Sequence, residues 1–298
     1  MTPPTPASDT AAARALVEDF SLEMTGKDIP ALLEARAVIP QGTKINVTFL
    51  GNEDLPMRVA AAKAVRDNGF LPVPHISARR LSSETELREF LNALGEVGAL
   101  DSVFAVGGDP SEPLGPYASA YDLIATGIFQ EYGVREVNIA GYPEGHPDIP
   151  TPDLWDQLEM KASSLKLQGL ETTILTQFGF DTDPILTWIQ DVRGRGIDAT
   201  IRLGVPGPAG IKRLLGFARR FGIGANTAIV KKYGFSITNL LGTAGPDTFV
   251  NDLAAELAAQ PATGSVKIHL YAFGGLLATS EWAREFKVAP RTSKESAQ

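Results

Sequence analysis

A few polar side chains stand at the ends of otherwise apolar segments of this chain, and their types define the chemistry open to it. Glu23 lies in FSLEMT, where alternation puts Phe20, Leu22 and Met24 on one face and Ser21 with Glu23 on the other. A carboxyl on the inner face of a buried strand is costly as an anion, so it either finds an ion-pair partner or shifts toward the range of a general acid. Asp109 ends FAVGGDP. It reads either as a plain Asp-Pro turn or as an anion held beside a cationic intermediate or cofactor. Gln177 in LTQFGFD carries an amide that donates and accepts at once, which suits the edge of a heterocycle or a hydrogen-bonded core. GYPEGHPD holds Tyr142, Glu144 and His146 in a loop stiffened by Pro143 and Pro147, able to orient a ligand. With three histidines, no cysteine and no third ligand at metal spacing, no metal site is expected. Gly204, Gly207 and Gly210 in GVPGPAG could offer backbone N–H groups to a phosphate, whereas no GxGxxG follows a strand.

The elements that must position these groups are legible from the pattern. Short segments rich in Val, Ile, Phe and Thr recur at 19–25, 44–50, 70–77, 102–107, 136–142, 172–178, 199–205 and 265–273. Several are nearly continuous apolar runs, as strands buried on both faces are. Amphipathic stretches alternate with them at 55–68, 83–98, 119–132, 152–168, 183–195 and 209–221. Ser83 reads as a helix entry and Pro208 as a first-turn residue, while Gly69, Gly133, Gly169, Gly196 and Gly222 read as C-terminal caps. Eight β/α pairs predict a single (β/α)8 TIM barrel with extra helices inserted between strands 7 and 8, because closure leaves no exposed edge strand. Residues 13–288 form the barrel in this reading, with 1–12 a flexible arm and 289–298 a polar tail. Active-site residues of such barrels lie at the C-terminal strand ends. Those ends bring up Glu23, Asn46, Thr48, His75, Asp109, Tyr142, Gln177, Arg202, His269 and Tyr271, and the insertion adds Tyr233 and Phe235, whose rings could stack on a substrate.

Composition narrows the partners. The chain has 298 residues, 27 Lys and Arg against 35 Asp and Glu, and a net charge of −8. That balance argues against gripping nucleic acid through its phosphates. No run approaches a membrane span, no signal peptide opens the chain, and the absence of cysteine removes disulfides and thiolate chemistry. A cytoplasmic enzyme of small molecules is the expectation, with its oligomeric state open.

In order along the chain, SLEM, PHIS, GGDP, YASAYDLI, GYPEGHP and TQFGFD resemble the collinear motifs of the methylenetetrahydrofolate reductase family. The resemblance implies a (β/α)8 barrel that reduces 5,10-methylenetetrahydrofolate to 5-methyltetrahydrofolate at the expense of NADH or NADPH. It implies Glu23 as the general acid at N10, Asp109 as the electrostatic stabiliser of the iminium cation, and Gln177 as the pterin holder, with Tyr233, Phe235 and Tyr271 on the substrate. It places Thr48, His75, Tyr117, Tyr142 and His146 on the cofactor. The departures bear on flavin: the family's Arg before Gly-Asp is a glycine in GGDP, its Phe-Phe-Pro-Pro is Met24 to Lys27, and its Asn-Arg is Gly274 and Gly275. The chain is thus more similar to the flavin-independent, actinobacterial-type branch, using NADH directly. A ping-pong enzyme with FAD, and a folate-binding barrel without activity, are the other readings.

Overall fold

Apolar strands that lack a polar face need cover on both sides, and here they find it by closing on themselves. The structure, a computed structural model, describes residues 6–220, 243–260 and 262–288. Eight parallel strands form a closed barrel: β1 (Ser21–Met24), β2 (Lys44–Val47), β3 (Leu71–Ser77), β4 (Ser102–Val106), β5 (Glu136–Gly141), β6 (Glu171–Phe178), β7 (Thr200–Pro206) and β8 (Val266–Tyr271). Each pairs with its sequence neighbours, and β8 returns to β1 with Ser21 opposite His269. The expected TIM-barrel class is what the chain adopts.

Helices α1 (Pro6–Glu18), α2 (Ile29–Ala35), α3 (Leu55–Asp67), α4 (Glu84–Glu96), α5 (Ala120–Ala125), α6 (Ile128–Glu131), α7 (Thr151–Leu167), α8 (Thr182–Gly194), α9 (Ile211–Arg220), α10 (Asp247–Ala259) and α11 (Leu276–Val288) surround it. Outward strand residues such as Leu22, Ile45, Ile76, Ile139, Ile174, Ile201 and Ile268 join helix residues in one apolar layer. Inside the barrel the apolar part is small, with Val73, Phe104 and Leu175 forming a plug. Below it, toward the strand N-termini, Lys44 pairs with Glu136, and Asp19 accepts from both Arg202 and Lys267. That floor of paired charges is a structural network, and the polar groups above the plug are the ones that face the mouth.

Three local expectations are corrected. The 119–132 helix is two pieces, because Gly127 takes φ 72° and breaks the turn between α5 and α6. Pro208 lies outside a first turn, since α9 starts at Ile211. The stretch read as a loose arm is helical from Pro6 onward. Ser83 caps α4 by accepting from Glu86 N at 3.1 Å, and Gly69, Gly133, Gly169 and Gly196 all have positive φ. Gly222 lies outside the described residues, as do the other residues of 221–242 between β7 and β8.

Candidate active site at the C-terminal mouth of the barrel

Glu23 owes its position to the alternation of β1: Leu22 and Met24 turn out into the apolar layer, and Ser21 and Glu23 turn in. The turn after β1 is pinned. Asp28 accepts from Thr25 N and Thr25 Oγ1, both at 2.7 Å, and Glu53 accepts from Gly26 N at 2.8 Å. Glu23 itself has no hydrogen bond or ion pair among the described residues. Burial pushes its carboxyl up to about 7, and the nearby Asp28 carboxylate adds to the shift. Two residues earlier on the same face, Ser21 Oγ lies 2.9 Å from His269 Nδ1. Burial holds His269 well below its ordinary value, so this neighbour is a neutral imidazole that cannot draw the proton from Glu23 by its charge.

Across the mouth, Gln177 sits in an irregularity of β6. The register with β7 runs from Leu175 opposite Arg202 to Phe178 opposite Gly204, so one extra residue is accommodated on β6. Thr176 Oγ1 accepts from Gly204 N at 2.8 Å there, and Gln177 Oε1 accepts from Phe178 N at 3.1 Å. A bulge of this kind re-aims a side chain at a strand end. It leaves the Gln177 NH2 without a protein partner among the described residues. Tyr271, on β8, donates from its hydroxyl to Thr176 O at 3.1 Å and so ties β8 to β6 across β7. Burial raises its phenol well above the ordinary value, with Glu23 and Tyr142 as further acidic neighbours, which places those three groups in one electrostatic neighbourhood.

The other half of the mouth carries buried polar atoms that the protein leaves unused. Asn46 Nδ2, Thr48 Oγ1, His75 Nε2 and Ser77 Oγ, on or just after β2 and β3, have no hydrogen-bond partner among the described residues. Burial lowers His75 to about 3, so it is a neutral donor and acceptor held edge-on to Phe104. Orphaned polar atoms are expensive in a core, and four together fit the polar edge of a bound heterocycle. At the β5 exit, the Tyr142 and His146 rings meet edge-on with centroids 5.2 Å apart.

Not every expected residue joins this group. Asp109 stands on an exposed loop after β4 and is paired with Arg80. Tyr117 is 4% exposed and belongs to the apolar layer between barrel and helices. The glycine-rich segment after β7 is no open phosphate cradle: Gly204 N is bound to Thr176, Gly207 N donates to Tyr271 O at 2.8 Å, and Gly210 is in a short ladder with Thr243. Tyr233 and Phe235 lie outside the described residues. The sequence reading did not foresee the pairing of Ser21 with His269, because the two stand 248 positions apart and only barrel closure joins them. Ser77 was also missed; its inward alternation with His75 was the available signal.

Known proteins resemble this chain in sequence and in fold. A Saccharomyces cerevisiae protein named methylenetetrahydrofolate reductase 2 is 32% identical over 127 residues, covering 40% of this chain and 20% of the yeast one. Methylenetetrahydrofolate reductase (NADH) 1 of Arabidopsis thaliana is 33% identical over 137 residues, 41% of this chain and 22% of its own length. The 5,10-methylenetetrahydrofolate reductase of Pectobacterium carotovorum is 28% identical over 176 residues, 58% of this chain and 57% of that one. The chain therefore spans about a fifth of the two eukaryotic relatives and over half of the bacterial one. Among solved structures, dihydropteroate synthase from Thermus thermophilus aligns with a TM-score of 0.47 at 13% identity, over 92% of this chain and 96% of that one. The sequence model of methylenetetrahydrofolate reductase matches residues 31–233. That match takes in the exits of β2 to β7, and by it the chain belongs to the methylenetetrahydrofolate reductase family.

Proposed function

We propose that the chain reduces 5,10-methylenetetrahydrofolate to 5-methyltetrahydrofolate, with NADH giving its hydride directly to the folate and no flavin between them. The observation that carries this is Glu23: an unpaired carboxyl at the barrel mouth, raised to about 7, beside Tyr271 and above a neutral Ser21–His269 pair. Such a group keeps a proton to give at neutral pH. In this reading Glu23 donates it to N10 as the five-membered ring opens, and the carbon of the iminium cation takes the hydride. The carboxylate left on Glu23, with Asp28 behind it, then stabilises the cation. Asp109 contributes to that stabilisation once its carboxylate turns from Arg80. The free Gln177 amide holds the pterin, and Tyr271 forms the adjoining wall.

When bound, NADH supplies the hydride. Thr48, His75 and Ser77 have the donor and acceptor set for its carboxamide, with Asn46 beneath and Tyr142 and His146 at the β5 side. Tyr117 belongs to this half only as support behind the rim. The loss of the family's Arg in GGDP, where Gly108 precedes Asp109, favours the flavin-free form, since glycine brings no side-chain donor. NADH as donor is also in keeping with the Arabidopsis relative's name.

The purified protein is expected to be colourless and to oxidise NADH only when the folate is present. A yellow preparation that passes electrons from NADH to a dye without folate would assign it the ping-pong flavin mechanism instead.

A further inference from the structure

The end of the barrel opposite the mouth holds a cavity of about 760 Å³ that the folate chemistry does not use. It opens among the strand N-termini, bounded by the C-terminal end of α7 and the segment from α8 to β7. Alternation builds its base. Ile45, Val137, Ile201 and Ile268 turn out into the apolar layer, so Lys44, Glu136, Arg202 and Lys267 turn in. The plug of Val73, Phe104 and Leu175 stands between this floor and the mouth.

The base is short of acceptors. Lys44 uses Glu136, whereas Lys267 and Arg202 share the one carboxylate of Asp19. The other oxygen of Glu136 is taken by the Thr173 hydroxyl at 2.6 Å. Arg202 is 2% exposed and donates from Nη1 to Asp19 O at 2.8 Å and from Nη2 to Asp19 Oδ1 at 3.2 Å. Its Nε is buried with no partner among the described residues. An orphaned donor on a cation is costly, and an anionic oxygen satisfies it best. Three cations set against two carboxylates also leave the base positive, inside a chain of net charge −8. The rim has the opposite character: the carboxylates of Glu171 and Asp198 are exposed there and accept no hydrogen bond among the described residues. No aromatic ring of the described residues lines the cavity, so it offers a nucleobase no stacking surface.

We propose that this floor cavity is a second ligand site and that it takes a phosphorylated sugar or polyol. The phosphate meets the Arg202 Nε, with Lys44 and Lys267 supplying charge, and the hydroxyls donate to Glu171 and Asp198 at the rim. The volume is in the range of small-molecule sites, and a lining dominated by charges and hydroxyls suits a ligand that is polar throughout.

Calorimetric titration of the full chain with ribose 5-phosphate, inorganic phosphate and ribose tests this. Ribose 5-phosphate is expected to bind at a single site about tenfold more tightly than inorganic phosphate, because its hydroxyls add bonds to charged acceptors. Ribose alone binds more weakly than either. Saturating NADH leaves the binding of ribose 5-phosphate unchanged, since the mouth lies beyond the plug. Arg202→Lys keeps the charge but loses the planar fork, and is expected to weaken both phosphates about tenfold. Should that variant fail to fold, the exposed pair Glu171→Gln/Asp198→Asn carries the test. It is expected to cut the preference for the sugar phosphate to about twofold and to leave kcat unchanged. Absence of ribose 5-phosphate binding, or its displacement by NADH, would overturn the proposal. So would equal affinity for ribose 5-phosphate and inorganic phosphate, or a preference kept in full by the double variant.

Discussion

Glu23→Gln is expected to lower kcat by about a thousandfold while changing folate affinity by no more than a few-fold. Loss of a positioned general acid costs on the order of 10² to 10⁴ in rate, and glutamine keeps the size and the hydrogen-bonding capacity of the protonated side chain. The same group sets the pH dependence. Glu23 must be protonated to act, and burial puts its midpoint at about 7, so the unmodified enzyme slows as pH rises through that value. The residual rate of the variant lacks this limb. Stability shows the opposite partner of the effect. Between the ordinary glutamate value of 4.5 and the raised value of about 7, the folded chain holds a proton that the unfolded chain has lost. The fold therefore loses stability as pH rises across that window, and Glu23→Gln removes the loss. Steady-state kinetics with calorimetric binding and a pH series of thermal melts check both sides. Unchanged turnover would take the acid role from Glu23.

Lys161→Met is expected to stabilise the fold. Lys161 is 7% exposed, lies on α7 with the buried Leu158 and Leu165 at helical spacing, and has no hydrogen bond or ion pair among the described residues. Burial lowers its amine from 10.5 to about 8. A shift of that size amounts to about 3 kcal/mol held against the folded state at neutral pH. Methionine keeps the unbranched stem and drops the charge. At roughly 2–4 °C per kcal/mol, the midpoint of thermal unfolding should rise by about 6 °C or more. The sign with pH follows: between 8 and 10.5 the unfolded lysine binds a proton that the folded one has shed, so the unmodified protein gains stability as pH climbs through that window. The advantage of Lys161→Met shrinks in parallel and is small above it. Melting curves at pH 7 and pH 10.5 measure the difference, and a variant less stable than the parent at pH 7 would show that Lys161 has a partner in solution.

The barrel was legible because it is written in local terms. Each β strand is a short apolar run, and the turn chemistry at Ser83, Gly169 and Gly196 marks where α4, α7 and α8 begin or end. Glu23 and Gln177 could be placed at the mouth by alternation and strand ends alone. What escaped depends on contacts between distant residues or on small departures from regularity. The Ser21–His269 pair requires β8 to close on β1. The bulge that frees the Gln177 amide is one residue of register, which periodicity does not reveal. The phosphate reading of GVPGPAG failed because its glycines serve packing: a side chain on Gly204 would come within 2.6 Å of Thr176 O, and one on Gly207 within 2.5 Å of Thr279 Oγ1. Asp109 follows β4 as its sequence position requires, but nothing in the spacing connects it to its partner Arg80, on a helical turn after β3.

The claim on which the chemistry turns is that one carboxyl at the barrel mouth remains protonated at neutral pH. Carbon-13 NMR titration of protein labelled at the glutamate side-chain carboxyl carbon, with the Glu23→Gln variant to assign the signal, measures this directly. The account predicts that the resonance missing from the variant titrates at about pH 7. A midpoint near 4.5 would mean that Glu23 is an ordinary surface carboxylate, with no proton to give when the folate ring opens.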